Sequence, residues 1–272
     1  MNDAPGILRL EDFVALQVSG EDRREFLQGQ LSQDMAIVTA ARAAPAAWCN
    51  RQGRVLCVMV AIEWEDSTWL VLPAEMADTC AAGLGRYILR SRVRIDVADG
   101  PVSGCMGAEA LFALAPGEAW DCASTSGYCA VLLPGGGARA LLLGDPPVRA
   151  ATADASWTSA QWRLADIAAE LPWVDERTSG KFLAHSLNLD LSGAVSFSKG
   201  CYVGQEIIAR MEYRGTPKRR MRLLRLAPDT NAEPGERVND PELGAATIIA
   251  CAEADDHIQA LAEVRLANNP AG

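Results

Sequence analysis

Apolar and polar positions alternate with different periods along the chain, and the period assigns each stretch to an element. Ser19-Gly20-Glu21-Asp22 precedes Arg23 to Gln30, so capping-type residues and early carboxylates stand ahead of Phe26, Leu27 and Leu31, which share one face. A short helix is predicted there. Dense apolar runs over residues 54–65 and 68–72, with Asp66 and Ser67 between them, predict two strands joined by a tight turn. Pro73 stands where a first helical residue belongs, and Met76, Cys80, Leu84, Tyr87 and Ile88 then recur at helical spacing. An amphipathic helix is expected to follow. Val93, Ile95 and Val97 alternate with Arg92, Arg94 and Asp96, the period of a strand buried on one side. The order strand, strand, helix, strand is that of an α+β sheet.

Pro134-Gly135-Gly136-Gly137 lies between the apolar runs 129–133 and 138–143. A phosphate-binding loop needs a helix after it and Lys with Ser or Thr at fixed offsets, which are absent, so the stretch reads as a hairpin turn. Residues 156–171 place Trp162, Leu164, Ile167 and Ala168 on a common side of a helix that Pro172 stops. Beyond Thr216 short apolar runs are separated by Pro234-Gly235, Asn239-Asp240-Pro241 and Gly244, the pattern of a small β domain with a boundary near residue 215.

Composition narrows the chemistry. The 272 residues carry 25 basic and 35 acidic side chains, a net charge of -10 that opposes broad attraction to nucleic acid or an anionic membrane. The apolar runs fall far short of the roughly 20 residues of a membrane span, and residues 1–10 show no secretory signal, so a cytoplasmic protein is expected. Eight cysteines are scattered without a C-x-x-C pair, which leaves no zinc or iron-sulfur ligand framework. Most of them read as small core residues. His185 and His257 are the only histidines and have no metal-ligand spacing, and Ser196 and Ser198 sit in no G-x-S-x-G elbow.

The most distinctive stretch is Phe197-Ser198-Lys199-Gly200-Cys201-Tyr202-Val203-Gly204-Gln205-Glu206. Ile207, Ile208 and Met211 suggest a helix beginning immediately after Cys201, which would place the sulfur near a helix N-terminus with the Lys199 ammonium close by. Both would favour a thiolate. Gly200 and Gly204 would let the backbone bend or let another molecule approach. Lys199, Arg210, Arg214, Lys218, Arg219, Arg220, Arg222 and Arg225 face only Glu206 and Glu212 in this region, either a solvated face or a localised anion site.

These residues resemble the YgfZ family, whose hallmark K-G-C-[FY]-x-G-Q-E is matched without a break from Lys199 to Glu206. The likeness extends through Ala209-Arg210 and Tyr213-Arg214-Gly215. Upstream it takes in Leu187-Asn188-Leu189 and Val195-Ser196-Phe197, and near the start Gly20, Asp22 and Phe26-Leu27-Gln28-Gly29-Gln30. The N-terminal pattern is shared with the wider superfamily of the glycine-cleavage T-protein and dimethylglycine oxidase. The resemblance implies an α+β, T-protein-like ring of two ferredoxin-like subdomains around a central folate-binding channel, within residues 1–215. It also implies a small C-terminal β-barrel over residues 216–272.

The implied role is assembly or repair of iron-sulfur clusters in client enzymes, with an indirect effect on tRNA modification. Tetrahydrofolate or a derivative would be the cofactor, with no permanently bound metal. The partners would be iron-sulfur client or cluster-assembly proteins, with no direct nucleic-acid contact and no membrane. Cys201 would be the functional thiol, Lys199 its electrostatic neighbour, and Gly200, Tyr202, Gly204, Gln205 and Glu206 its supporting loop. Arg210 and Arg214 are candidate contacts for the anionic folate tail on local charge. One departure concerns catalysis. T-protein relatives use a carboxylate in a G-G-x-x-D-D segment, whereas the corresponding stretch here, Gln52-Gly53-Arg54-Val55-Leu56-Cys57-Val58, has none, leaving Glu63 or Glu65 as substitutes. A tetrahydrofolate-dependent aminomethyl or one-carbon transferase is therefore the alternative, and a scaffold with a structural cysteine a third reading.

Overall fold

The computed structural model describes residues 6–107, 117–135, 139–145 and 157–266. The first sheet is built from β2 (Phe13–Ser19), β3 (Ala44–Cys49), β4 (Val55–Trp64), β5 (Ser67–Pro73) and β6 (Arg94–Val97), all antiparallel, in the order β3-β4-β5-β2-β6. Its predicted hairpin turns one residue earlier than expected. Glu65 and Asp66 both have positive φ, 49° and 55°, as a two-residue hairpin requires, and Ser67 already belongs to β5. Two helices cover one face. α1 (Arg23–Gln30) has the predicted bounds, but its Asp22 cap turns its carboxylate to Arg92 N at 2.7 Å instead of to the helix. The second predicted helix starts as a 3-10 turn, Ala74–Met76, because Pro73 still belongs to β5, and continues as α2 (Ala77–Gly85). Met76, Cys80 and Leu84 are its buried stripe, while Tyr87 lies beyond its end and is exposed. β6 is an edge strand, which leaves Val97 exposed where the alternation predicts burial.

β4 shows how period two builds two layers. Cys57, Met59 and Ala61 face the core under α1 and α2, whereas Val60 and Ile62 pack against a second sheet. That sheet contains β1 (Gly6–Arg9), β7 (Val102–Met106), β8 (Cys122–Ser124), β9 (Tyr128–Leu132) and β10 (Ala140–Gly144), in the order β1-β7-β10-β9-β8. β9 and β10 pair antiparallel, as the hairpin reading of the proline-glycine stretch requires, although Gly136 and Gly137 lie outside the described residues. α3 (Ser159–Ala168) carries a full capping box from Thr158 and Gln161. Beyond α4 (Gln205–Arg214), β11 (Arg219–Leu226), β12 (Arg237–Asp240), β13 (Gly244–Glu253) and β14 (Ile258–Arg265) form an antiparallel sheet in the order β11-β14-β13-β12. Its edges β11 and β12 are not hydrogen-bonded to each other among the described residues. Among the described residues no helix is long and apolar enough to cross a membrane.

Candidate functional site: an exposed thiol and a separate cavity

The segment Leu31–Asp34 is the seat of the distinctive loop. The Ser32 hydroxyl donates to Ala194 O (2.6 Å) and accepts from Ala47 N (2.8 Å), and Ser196 N donates to Ser32 O (2.9 Å). Gln33 Nε2 donates to Pro45 O and Gly193 O, at 3.0 and 2.6 Å. Lys199 completes the joint, its ammonium donating to Leu31 O (2.8 Å) and Gln33 O (2.6 Å) while lying 5.1 Å from the centre of the Tyr202 ring. The segment that follows α1 and the distinctive loop, far apart in sequence, are thus interlocked. Burial lowers the Lys199 pKa to about 8, against the opposing pull of Asp34. The charge expected to assist the thiol is directed at backbone carbonyls instead.

Cys201 is the only exposed cysteine of the eight; five are buried and Cys122 and Cys251 are half-buried. The helix begins later than the sequence suggests. Its N-cap is Gly204, with φ 87°, and Gln205 is its first residue, so the sulfur lies three residues ahead of the cap. The reason is packing. A Cβ on Gly204 would stand 2.5 Å from Asn50 O, so the chain must pass close over the β3–β4 turn before it can coil. Gly53 in that turn, at φ 69°, likewise lies against Ile207 of α4. Tyr202 is buried, its phenol pushed up by burial, and its hydroxyl has no hydrogen-bond partner among the described residues. Gln205 Nε2 reaches Lys199 O at 3.5 Å, Glu206 is exposed in the first turn of α4, and Gly200 is exposed with open space around it.

The basic cluster divides in the structure. Arg219 pairs with Glu263, Arg220 with Asp190 and Arg225 with Asp256. Arg210, Arg214, Lys218 and Arg222 are exposed and make no ion pair among the described residues. His185 Nε2 lies 3.1 Å from Glu212, and with Asp190 these form a compact group of potential metal ligands. Arg220, however, grips both Asp190 oxygens at 2.6 and 2.8 Å, so the group is an ion-paired joint between the turn 185–190, α4 and β11. His257 is bound to Asp256 at 2.7 Å.

A cavity of about 400 Å³ opens elsewhere, between the β1–β2 turn, the end of β5, α3, the segment 171–175 and β13. Phe13, Trp162 and Trp173 wall it, with Phe13 and Trp173 edge to face at 4.8 Å. Asp166 is buried there, its oxygens taken by Arg139 Nη1 (2.7 Å) and Trp173 Nε1 (3.0 Å). Burial raises its pKa, with Arg139 pulling the other way. Neither Cys201 nor any other residue of the Lys199–Glu206 motif lines this cavity, and neither do Arg210 and Arg214, expected at a folate tail. Sequence reading missed Asp166. The one available signal was an aspartate on the same helical side as Trp162. In the stretch 52–58, Cys57 and Val58 are buried side chains of β4. Glu63 is held by Arg23, Arg24 and Thr68, and Glu65 belongs to the hairpin turn.

Paired antiparallel sheets with a third sheet at the C-terminus define the class to which this chain belongs. It matches the glycine cleavage system aminomethyltransferase T from Bartonella henselae with a TM-score of 0.74 at 16% identity, covering 96% of this chain and 78% of that one. The fold is therefore that of the aminomethyltransferase T-proteins. No family model matches the chain. Among curated proteins it is similar to the tRNA-modifying protein YgfZ of Sodalis glossinidius, 31% identical over 78% of this chain and 69% of the relative. The YgfZ of Edwardsiella ictaluri is 30% identical over 80% and 70%, and that of Klebsiella pneumoniae 29% identical over 97% and 85%. The chain belongs to the YgfZ family.

Proposed function

We propose that this protein is a folate-binding accessory factor for iron-sulfur cluster assembly or repair, supporting tRNA modification indirectly and acting through Cys201. The observation that carries the reading is that the one exposed thiol of eight sits on the loop clamped to residues 31–34 and 50–53. A sulfur so presented can meet another macromolecule, while its loop has little freedom to withdraw. One thiol does not complete a cluster site, which ordinarily takes four cysteine ligands, so any cluster is shared with a partner or in transit. Residues 1–215 would form the folate-binding core around a central channel and residues 216–272 a small β-barrel whose strand β13 closes one side of the cavity, with Arg220 and Asp190 joining the two.

The residues of the cavity fit the ring end of a folate. Phe13, Trp162 and Trp173 offer faces and edges to a flat heterocycle, and the oxygens of Asp166 keep spare lone pairs for its N–H groups. When bound, folate would supply one-carbon chemistry. The protein's own residues would orient the ring and exclude water. Replacement Cys201→Ser keeps the loop geometry and removes the sulfur. In cells lacking the parent gene, this variant is expected to accumulate at normal levels yet fail to restore cluster-dependent tRNA thiolation, measured as modified nucleosides. Full restoration would remove the thiol from the function.

A further inference from the structure

The cavity's charges are more selective than its shape. Five carboxylates line it: Glu11, Asp12 and Glu75 are exposed, Asp175 is half-buried and Asp166 is buried. Among the described residues Arg163 is the one cationic side chain in the lining, and its Nη2 is taken by Asp12 at 2.7 Å. Asp166 is answered from behind the lining by Arg139, itself stacked 5.0 Å above the Trp162 ring. Glu11, Glu75 and Asp175 meet no cation among the described residues. Glu75 Oε1 accepts from Glu176 N, and Asp175 accepts from Thr178. Three carboxylates with no cationic partner among the described residues therefore face one opening, on a chain whose net charge is already -10.

We infer that this cavity selects against anionic ligands, so that it takes a pterin carrying no glutamate tail or a single glutamate and rejects polyglutamylated folates. The inference rests on the reading of the cavity as a pterin site and specifies which form of folate that site accepts. The ring is uncharged and meets aromatic walls. Each further γ-linked glutamate adds one carboxylate that must lie near Glu11, Glu75 or Asp175, or be held in solvent within their field. At the separations available across such an opening, every added charge should weaken binding by about threefold at low ionic strength. Salt should shrink that penalty, because the Debye length falls from about 30 Å at 0.01 M to about 8 Å at 0.15 M.

Calorimetric titration of the full chain tests this with 6-methyltetrahydropterin, tetrahydrofolate and tetrahydrofolate triglutamate, each at low and physiological salt. The expected order is pterin at least as tight as the monoglutamate and both tighter than the triglutamate, with the gap narrowing as salt rises. The double variant Glu11→Gln, Glu75→Gln keeps the acceptor for Glu176 N and should raise the ratio of triglutamate to pterin affinity several-fold. Triglutamate binding equal to or tighter than pterin would overturn the selection and leave the pterin reading standing. Absence of binding by all three would overturn both, without touching the role of Cys201.

Discussion

Lys199 shows how one side chain can be legible as important and illegible in its task. Its place two residues from a loop cysteine suggested help for the thiol, but its hydrogen bonds go to carbonyls of residues 31 and 33, partners that no local window contains. The cost of its burial gives a pH signature. Below about 8 it is an ammonium in both states; from there to its ordinary 10.5 the unfolded chain keeps a proton that the folded one has released. Stability from this group therefore rises with pH across that window. The Cys49 and Cys105 thiols, pushed from 9.0 up to about 12 by burial, act in the opposite sense, since the folded state keeps their protons longer. Lys199→Met deletes the first effect and leaves the second. In urea melts from about pH 8 to about pH 10, the variant should lose stability relative to the parent as pH rises. A difference that stays flat with pH would refute this account of the ammonium.

At the scale of elements, those fixed by local period were read well from the sequence. α1, the β4–β5 hairpin and α3 fall within a few residues of their predicted places because their apolar spacing and caps lie within one window. The start of α4 was misplaced by tertiary packing, since the close pass of Gly204 over Asn50 delays the first helical residue to Gln205. That contact makes Gly204 a test of the whole assembly. Gly204→Ala puts a Cβ in the left-handed region and against a backbone carbonyl, so it should cost about 1–3 kcal/mol or more. The loop is then expected to lift from the turn at residues 50–53. A lowered midpoint in thermal melts together with faster proteolytic cleavage near Cys201 would show it; an unchanged melt and cleavage pattern would refute the packing argument.

Across the whole molecule, the cavity was the feature least visible beforehand. Its lining comes from five separated segments, and its acidic character exists only once Glu11, Glu75, Asp166 and Asp175 are assembled. The thiols give a whole-chain check on the same assembly. A disulfide reagent under native conditions should titrate Cys201 fast, Cys122 and Cys251 slowly, and the five buried cysteines only after unfolding. More than three thiols reacting before denaturation would mean that the sheets do not pack as described. The joint between Lys199 and Leu31 carries one more consequence, because its partners stand 168 positions apart. During synthesis the segment just after the first helix leaves the ribosome long before the lysine does, and the Leu31 and Gln33 carbonyls lack that partner until the intervening residues, 168 positions from Leu31 to Lys199, have emerged. The exposed Cys201 sulfur thus acquires its fixed setting among the last events of folding, so a chain stalled before residue 199 never presents it on its clamped loop.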